Sequence, residues 1–264
     1  MKFLPIILTI SLGTALPIAE DGAQDDKHDA GDDVAVVTSP IPGTPDSPTA
    51  KSFHDLDDKV SGLFLGGGKF DDDDGDCDDL VEGSAAACPD VIFVFARGSV
   101  EKTNMGTTVG RLMEASLKAQ YGSNIWVQGV GGPYLATLAA NYLPAGTTQA
   151  AIAEAQRMFV MAQAKCPTSS VVAAGYSQGT AVMAGALAAL DAITQDQVKG
   201  CVLYGYTRNK QNGGVIPGFP VAKTDIYCAP GDAVCDGVLA VTAAHFSYSV
   251  EAKVNGPRFL VDHL

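Results

Sequence analysis

Five short apolar runs, separated by longer helix-forming stretches, constrain this chain more than any other feature. DVIFVFA (90 to 96), NIWVQGV (124 to 130), SVVAAGY (170 to 176), KGCVLYGY (199 to 206) and KTDIYCA (223 to 229) are short and rich in β-branched residues. Helix-type segments lie between or after them: around 106 to 120, TTQAAIAEAQRMFVMAQAK from Thr147, QGTAVMAGALAAL from Gln178, and a C-terminal stretch near 248 to 261. Strands joined through helices run parallel, and such a sheet is covered by helices on both faces. The expected fold is therefore α/β, with three layers around a central, mainly parallel five-stranded sheet.

The 264 residues, 47% of them hydrophobic, suffice for one ordinary core plus extensions. The formal net charge of −13 belongs to the N-terminal third, since residues 1 to 87 hold 19 of the 30 acids and only 5 of the 17 Lys and Arg. Residues 88 to 264 are nearly neutral and carry no basic footprint of the kind nucleic acid requires. MKFLPIILTISLGTA reads as a secretory signal over residues 1–15, with Gly13 and Ala15 spaced for cleavage. Its apolar stretch is shorter than the ~20 residues a bilayer span needs, and no later segment is long enough. Residues 16–83 are acidic, then Pro-rich, then acidic again. This composition favours a disordered or removable prosegment; Leu63, Phe64 and Leu65, within residues 60–70, would alternatively let it form a lid over a binding groove. The folded domain is expected over 84–264.

Six cysteines in an exported chain point to disulfides, and neither CxxC nor a Cys/His cluster with zinc spacing occurs, so no metal site is expected. Cys228 and Cys235 enclose a short loop of the sort a local disulfide can fix.

Chemistry enters at GYSQG, where the third apolar run meets its helix. A G-x-S-x-G turn between strand and helix lifts the serine hydroxyl above the sheet edge, which makes Ser177 the candidate nucleophile. A serine needs an adjacent base, normally a histidine steadied by a carboxylate. Of the four histidines, His28 and His54 lie in the extension and His263 is penultimate, leaving His245 within the body. For the acid, Asp191, Asp196, Asp225, Asp232 and Asp236 lie between serine and histidine. Asp191 and Asp196 read as solvated charge at a helix end. Asp232, just past the end of the last strand and inside the Cys228 to Cys235 loop, is the first choice and Asp236 the second. An oxyanion hole should combine the backbone N–H of Gln178 with a donor from the loop after the first strand, where ARGS offers Ser99. ARGS reads equally well as a plain turn followed by a helix cap.

CPDVIFVFARGS, GGPYLATLAANYLPAGTTQAAIAEAQ, KCPTSSVVAAGYSQGTAV, VLYGYTRN and YCAPGDAVCDG with a later HFSY together resemble the fungal cutinases, secreted serine esterases of α/β-hydrolase type. The resemblance runs from about residue 84 to the C-terminus. It implies a triad of Ser177, Asp232 and His245, an oxyanion hole of Ser99 and Gln178, and Asn141 as support for the oxyanion-hole serine. It also implies disulfides Cys88 with Cys166 and Cys228 with Cys235, and crevice-flanking Leu138, Leu239 and Val241, to which Tyr176, directly before the nucleophile, is added as a substrate-binding residue. Cys77 and Cys201 have no place in that scheme; they either pair with each other or leave Cys201 as a buried free thiol.

The expected function is hydrolysis of cutin-like aliphatic polyesters and short- to medium-chain esters, outside the cell, by a monomer acting at an apolar surface without a cofactor. Two rivals stand beside it: deacetylation of a polysaccharide such as acetylxylan, and a catalytically silent surface-binding protein on the same scaffold.

Overall fold

The computed structural model describes residues 75–264. The expected signal (1–15), most of the acidic segment, the residues considered for a lid (60–70), His28 and His54 lie outside the described residues.

Five strands form one sheet: β1 (Val91–Ala96), β2 (Ile125–Gly129), β3 (Ser170–Tyr176), β4 (Val198–Tyr204) and β5 (Thr224–Tyr227). Their order is β2-β1-β3-β4-β5, and every neighbouring pair is parallel. Each apolar run lies within two residues of the strand it was expected to form. The chain steps from β1 out to β2 and then crosses back past β1 to β3. The reversal of strand order falls between β1 and β3, the place where an open α/β sheet leaves a crevice beyond its C-terminal strand ends.

Alternation along the strands divides the core in two. Ile92, Val94 and Ala96 of β1 join Ala155 and Phe159 of the long helix Gln149–Lys165, and Val182 and Leu187 of helix Gln178–Ala188, on one face. Val91, Phe93 and Phe95 join Met113 and Leu117 of helix Val109–Tyr121, with Leu260 of the C-terminal helix Gly256–Val261, on the other. A strand whose every residue is buried, as in β1, is what helices on both faces demand. The expected three layers are present.

The body begins earlier than the expected boundary at residue 84. Residues 75–83 cover the outer edge of β2: Asp78 bridges Gln128 in antiparallel fashion, and Gly129 N–H donates to Cys77 O at 2.8 Å. Leu80, on the one-turn helix Asp79–Glu82, is fully buried. Lys165 Nζ donates to the carbonyls of Leu80, Val81 and Gly83 at 2.6, 3.1 and 2.9 Å. An unpaired sheet edge is a liability that proteins cover, and this acidic segment covers it through backbone groups, a single leucine, and the carboxylates of Asp79 and Asp78, which accept from Val127 N–H at 2.9 Å and Gln128 Nε2 at 2.8 Å.

Cys88–Cys166 and Cys228–Cys235 are disulfide-bonded, as the resemblance implied. Cys77 and Cys201 do not pair. Cys77 lies against β2 while Cys201 is in β4, and β1 and β3 intervene. Three strand spacings of ~4.8 Å exceed what a disulfide spans, so Cys201 is the buried free thiol. Asp191, expected to be solvated charge, is exposed and also caps a short helix, Ala192–Gln197: its Oδ1 accepts from the N–H of Ile193 and Thr194.

Candidate active site

Ser177 stands between β3 and the helix Gln178–Ala188 with φ 52° and ψ −123°. A non-glycine residue is rarely found there, so the surroundings must hold it. Ser177 N–H donates to Tyr204 O at 2.9 Å, pinning the bend to β4. The flanking glycines serve close approach rather than the turn itself. A Cβ on Gly175 would sit 2.6 Å from Gly179 O, and one on Gly179 would collide with Ala96 O. Helix and strand can therefore meet closely enough to force the strain onto the serine.

His245 arrives on the 3-10 turn Ala243–Phe246, buried to 2% exposure. Its Nε2 lies 2.8 Å from Ser177 Oγ and its Nδ1 lies 2.8 Å from Asp232 Oδ2. Asp232 begins the 3-10 turn Ala233–Asp236 inside the Cys228–Cys235 loop, and its Oδ1 accepts from Val234 N–H at 3.1 Å. Burial pushes the Asp232 carboxyl upward, but hydrogen bonds and charge attraction from His245, with further bonds from Tyr248 and Val234, outweigh it and hold the pKa below the usual carboxylate range. Gly205 completes the fit: at φ 61°, its Cβ would be 2.6 Å from His245 Cε1. Asp236, the second choice for the acid, is exposed. His263 bonds to Phe259 O and Ala222 O, away from this cluster.

Ser99 lies on the loop after β1 and is buried. Its Oγ accepts from Asn141 Nδ2 at 2.9 Å and from Gln178 Nε2 at 3.1 Å. With both lone pairs occupied, the hydroxyl proton is left to donate elsewhere. Gln178 Nε2 also donates to Thr137 O at 2.7 Å, and Asn141 Nδ2 to Leu138 O at 3.0 Å, so both amides are fixed in orientation. Gln178 is the first residue of its helix, so its backbone N–H has no carbonyl to bond within the helix. From sequence, ARGS reads equally as a site loop or a turn before a helix cap; Ser99 caps no helix here and is hydrogen-bonded to the side chain of the residue after Ser177.

Leu239 and Val241, 38% and 41% exposed, lie on the segment joining the disulfide loop to His245, and Leu138 is half-buried beside Asn141. Tyr176 is a correction. Expected to bind substrate, it is 1% exposed, stacks on the His245 ring at 5.3 Å between centroids, and donates from its hydroxyl to His245 O at 2.9 Å. It braces the imidazole from the core side. Two further residues carry the site without having been anticipated. Glu101 is buried and accepts from the N–H groups of Gly98, Thr107 and Thr108 and from the Thr108 hydroxyl, knitting together the loop that presents Ser99. Burial raises its carboxyl pKa despite those bonds. Tyr248 donates to Asp232 Oδ2. Among the described residues no cluster of His, Cys, Asp or Glu could hold a metal ion.

A hydroxyl within reach of an imidazole whose other nitrogen meets a buried carboxylate can be deprotonated as it attacks an acyl carbon. Donors nearby on Ser99 and at the helix start can meet the charge that develops on the carbonyl oxygen.

The cutinase family model matches residues 87–264 of the chain. The chain is 54% identical over 183 residues to a cutinase of Pyricularia oryzae, covering 69% of this chain and 80% of that one. A solved Trichoderma reesei cutinase in complex with a phosphonate inhibitor superposes with a TM-score of 0.61 at 29% identity, covering 80% of this chain and 86% of that one. The catalytic core domain of an acetyl xylan esterase from Trichoderma reesei shares the fold, with a TM-score of 0.55 at 19% identity over 67% of this chain and 100% of that one.

Proposed function

The chain belongs to the cutinase family and is a carboxylic ester hydrolase, and from that premise we propose that it cleaves cutin-like aliphatic polyesters and short- to medium-chain esters through Ser177, His245 and Asp232. The observation that carries this reading is the unbroken line of contacts from Ser177 Oγ through the His245 ring to Asp232 Oδ2, at 2.8 Å on both sides. His245 Nε2 takes the hydroxyl proton as Ser177 attacks the ester carbonyl, while Asp232 stabilises the imidazolium. The Ser99 hydroxyl and the Gln178 N–H receive the oxyanion, and Asn141 holds the Ser99 oxygen so that its proton faces the reacting group. His245 then protonates the departing alcohol, and water repeats the two steps on the acyl-enzyme. The steps balance with water alone.

Leu138, Leu239 and Val241 supply an apolar rim suited to an aliphatic acyl chain at a surface. This favours polyester over an acetylated polysaccharide, whose groove would want polar and aromatic lining; the acetyl xylan esterase likeness is one of fold. The two disulfides suit export to an oxidising environment, and the enzyme acts outside the cell as a monomer. Among the described residues no helix is long and apolar enough to cross a membrane.

The test is hydrolysis of p-nitrophenyl esters of graded chain length, acetylxylan and a solid aliphatic polyester by the parent and by Ser177→Ala. The parent should prefer medium chains and polyester, and the variant should be folded and inactive. Equal hydrolysis by both proteins, or activity confined to acetylxylan, would overturn the reading.

A further inference from the structure

The Tyr248 hydroxyl makes two hydrogen bonds, and together they fix the direction of its proton. It accepts from Ala229 N–H at 3.0 Å and lies 2.5 Å from Asp232 Oδ2. A carboxylate oxygen can only accept, so the phenol donates to it. Asp232 Oδ2 therefore carries two donors, Tyr248 Oη–H and His245 Nδ1–H, while Oδ1 is occupied by Val234 N–H. Ala229 directly succeeds Cys228 of the disulfide loop, so the phenol ties the chain leaving β5 to the acid side chain that the loop presents. The ring is 2% exposed and meets His245, Tyr176 and Tyr204 edge-on, at 6.4, 6.3 and 6.0 Å between centroids.

We propose that Tyr248 is a positioning residue for the esterase reaction: its phenol turns Asp232 Oδ2 toward His245 and moderates the negative charge that the imidazole faces. The inference rests on the reading that Ser177, His245 and Asp232 carry the reaction, and adds a fourth group acting through Asp232. Removing the hydroxyl has two effects. The carboxylate loses one of the bonds that set its rotation. The charge on Oδ2 is also less dispersed, so it holds an imidazolium more strongly.

The other titratable groups around Tyr248 do not supply a competing cause. Tyr176 and Tyr204 are buried phenols whose hydroxyls are engaged by His245 O and Glu251 O, and burial raises both well above the ordinary tyrosine value. Glu251, half-buried on the turn Glu251–Asn255, acts on Tyr248 through charge, and more weakly than Asp232 does. Asp232 and His245 are the remaining groups, and they are the pair through which the effect is read.

The experiment measures kcat and KM against pH on a soluble p-nitrophenyl ester for the parent, Tyr248→Phe, Ser177→Ala, and a protein carrying 3-fluorotyrosine at position 248. Tyr248→Phe should lower kcat about tenfold with KM nearly unchanged. It should also move the acid limb of the kcat/KM profile up by about half a pH unit, because that limb reports protonation of the base. The fluorinated phenol keeps the shape and donates more strongly, so the limb should move down. A merely structural tyrosine would change the melting temperature and leave the limb where it is. An unmoved limb in folded Tyr248→Phe overturns the proposal, and if that variant does not fold, an unmoved limb in the fluorotyrosine protein does so. Full activity in Ser177→Ala would instead bring down the underlying catalytic reading, a separate and recognisable failure.

Discussion

A serine at φ 52° is held there against its own preference, at a local cost of order 1–3 kcal/mol, and the residues that enforce it explain GYSQG better than the pattern does. The motif identified Ser177 because strand, turn and helix were all visible around it. It did not reveal that the glycines are needed for contact with Ala96 and with each other. Gly179→Ala should accordingly destabilise by about 1–3 kcal/mol, read as a lower urea midpoint with an unchanged m-value. His245 was a candidate by elimination among four histidines, and Asp232 for its place in the short loop after the last strand, with Asp236 second. Glu101 was not: its partners are mostly backbone N–H groups, and no side-chain pattern announces such a role. Ser99→Ala should reduce kcat by roughly 10²- to 10³-fold with little change in KM, measured at substrate saturation. Asp232 also leaves a signature in acid. Its folded-state pKa lies below the ordinary value of 3.8, so its stabilising contribution is complete above that value and fades as pH falls through the folded pKa. Melting temperatures of the parent and Asp232→Asn should therefore converge as pH drops below about 4; a gap that widens in acid would reverse the sign.

At the scale of elements, the strands were readable because burial on both faces leaves continuous apolar runs. The exceptions have physical reasons. Tyr176 shares its face of β3 with Val172 and Ala174, so alternation directs it into the core beneath the site. The helix Ala192–Gln197 is short, exposed in part, and started by a capping aspartate whose charge resembled surface decoration. The two disulfides should separate stability from activity. Cys88–Cys166 closes a separation of 78 residues and Cys228–Cys235 one of 7. Chain entropy then assigns about 4–5 kcal/mol to the first and about 2–3 to the second. Replacing both cysteines of the first by alanine should lower the melting temperature more. Replacing those of the second should lower kcat more, because Asp232 lies within its loop. Thermal scans and initial rates on the two double variants decide it; equal losses of kcat would contradict the assignment of the short loop to the acid.

At the scale of the molecule, the folded body reaches back to residue 75, inside what composition marks as an acidic extension. Residues 75–83 offer one leucine to a core, and their other contacts are polar: backbone carbonyls to Lys165, a bridge to β2, and the carboxylates of Asp76, Asp78 and Asp79 accepting from Asn104, Gln128 and Val127, none of which hydrophobic patterning registers. A chain beginning at residue 84 should melt roughly 5–10 °C below one beginning at residue 75, since burying Leu80 and satisfying Lys165 stabilise the body by a few kcal/mol. Equal melting temperatures would show the segment to be dispensable.

The proposed chemistry turns on one reactive oxygen. Treating the protein with a serine-reactive alkyl phosphonate and mapping the adduct by peptide mass spectrometry should find a single modified residue, Ser177, with labelling slowed by orders of magnitude in His245→Ala. A label on another residue, or a rate indifferent to the loss of His245, would contradict it.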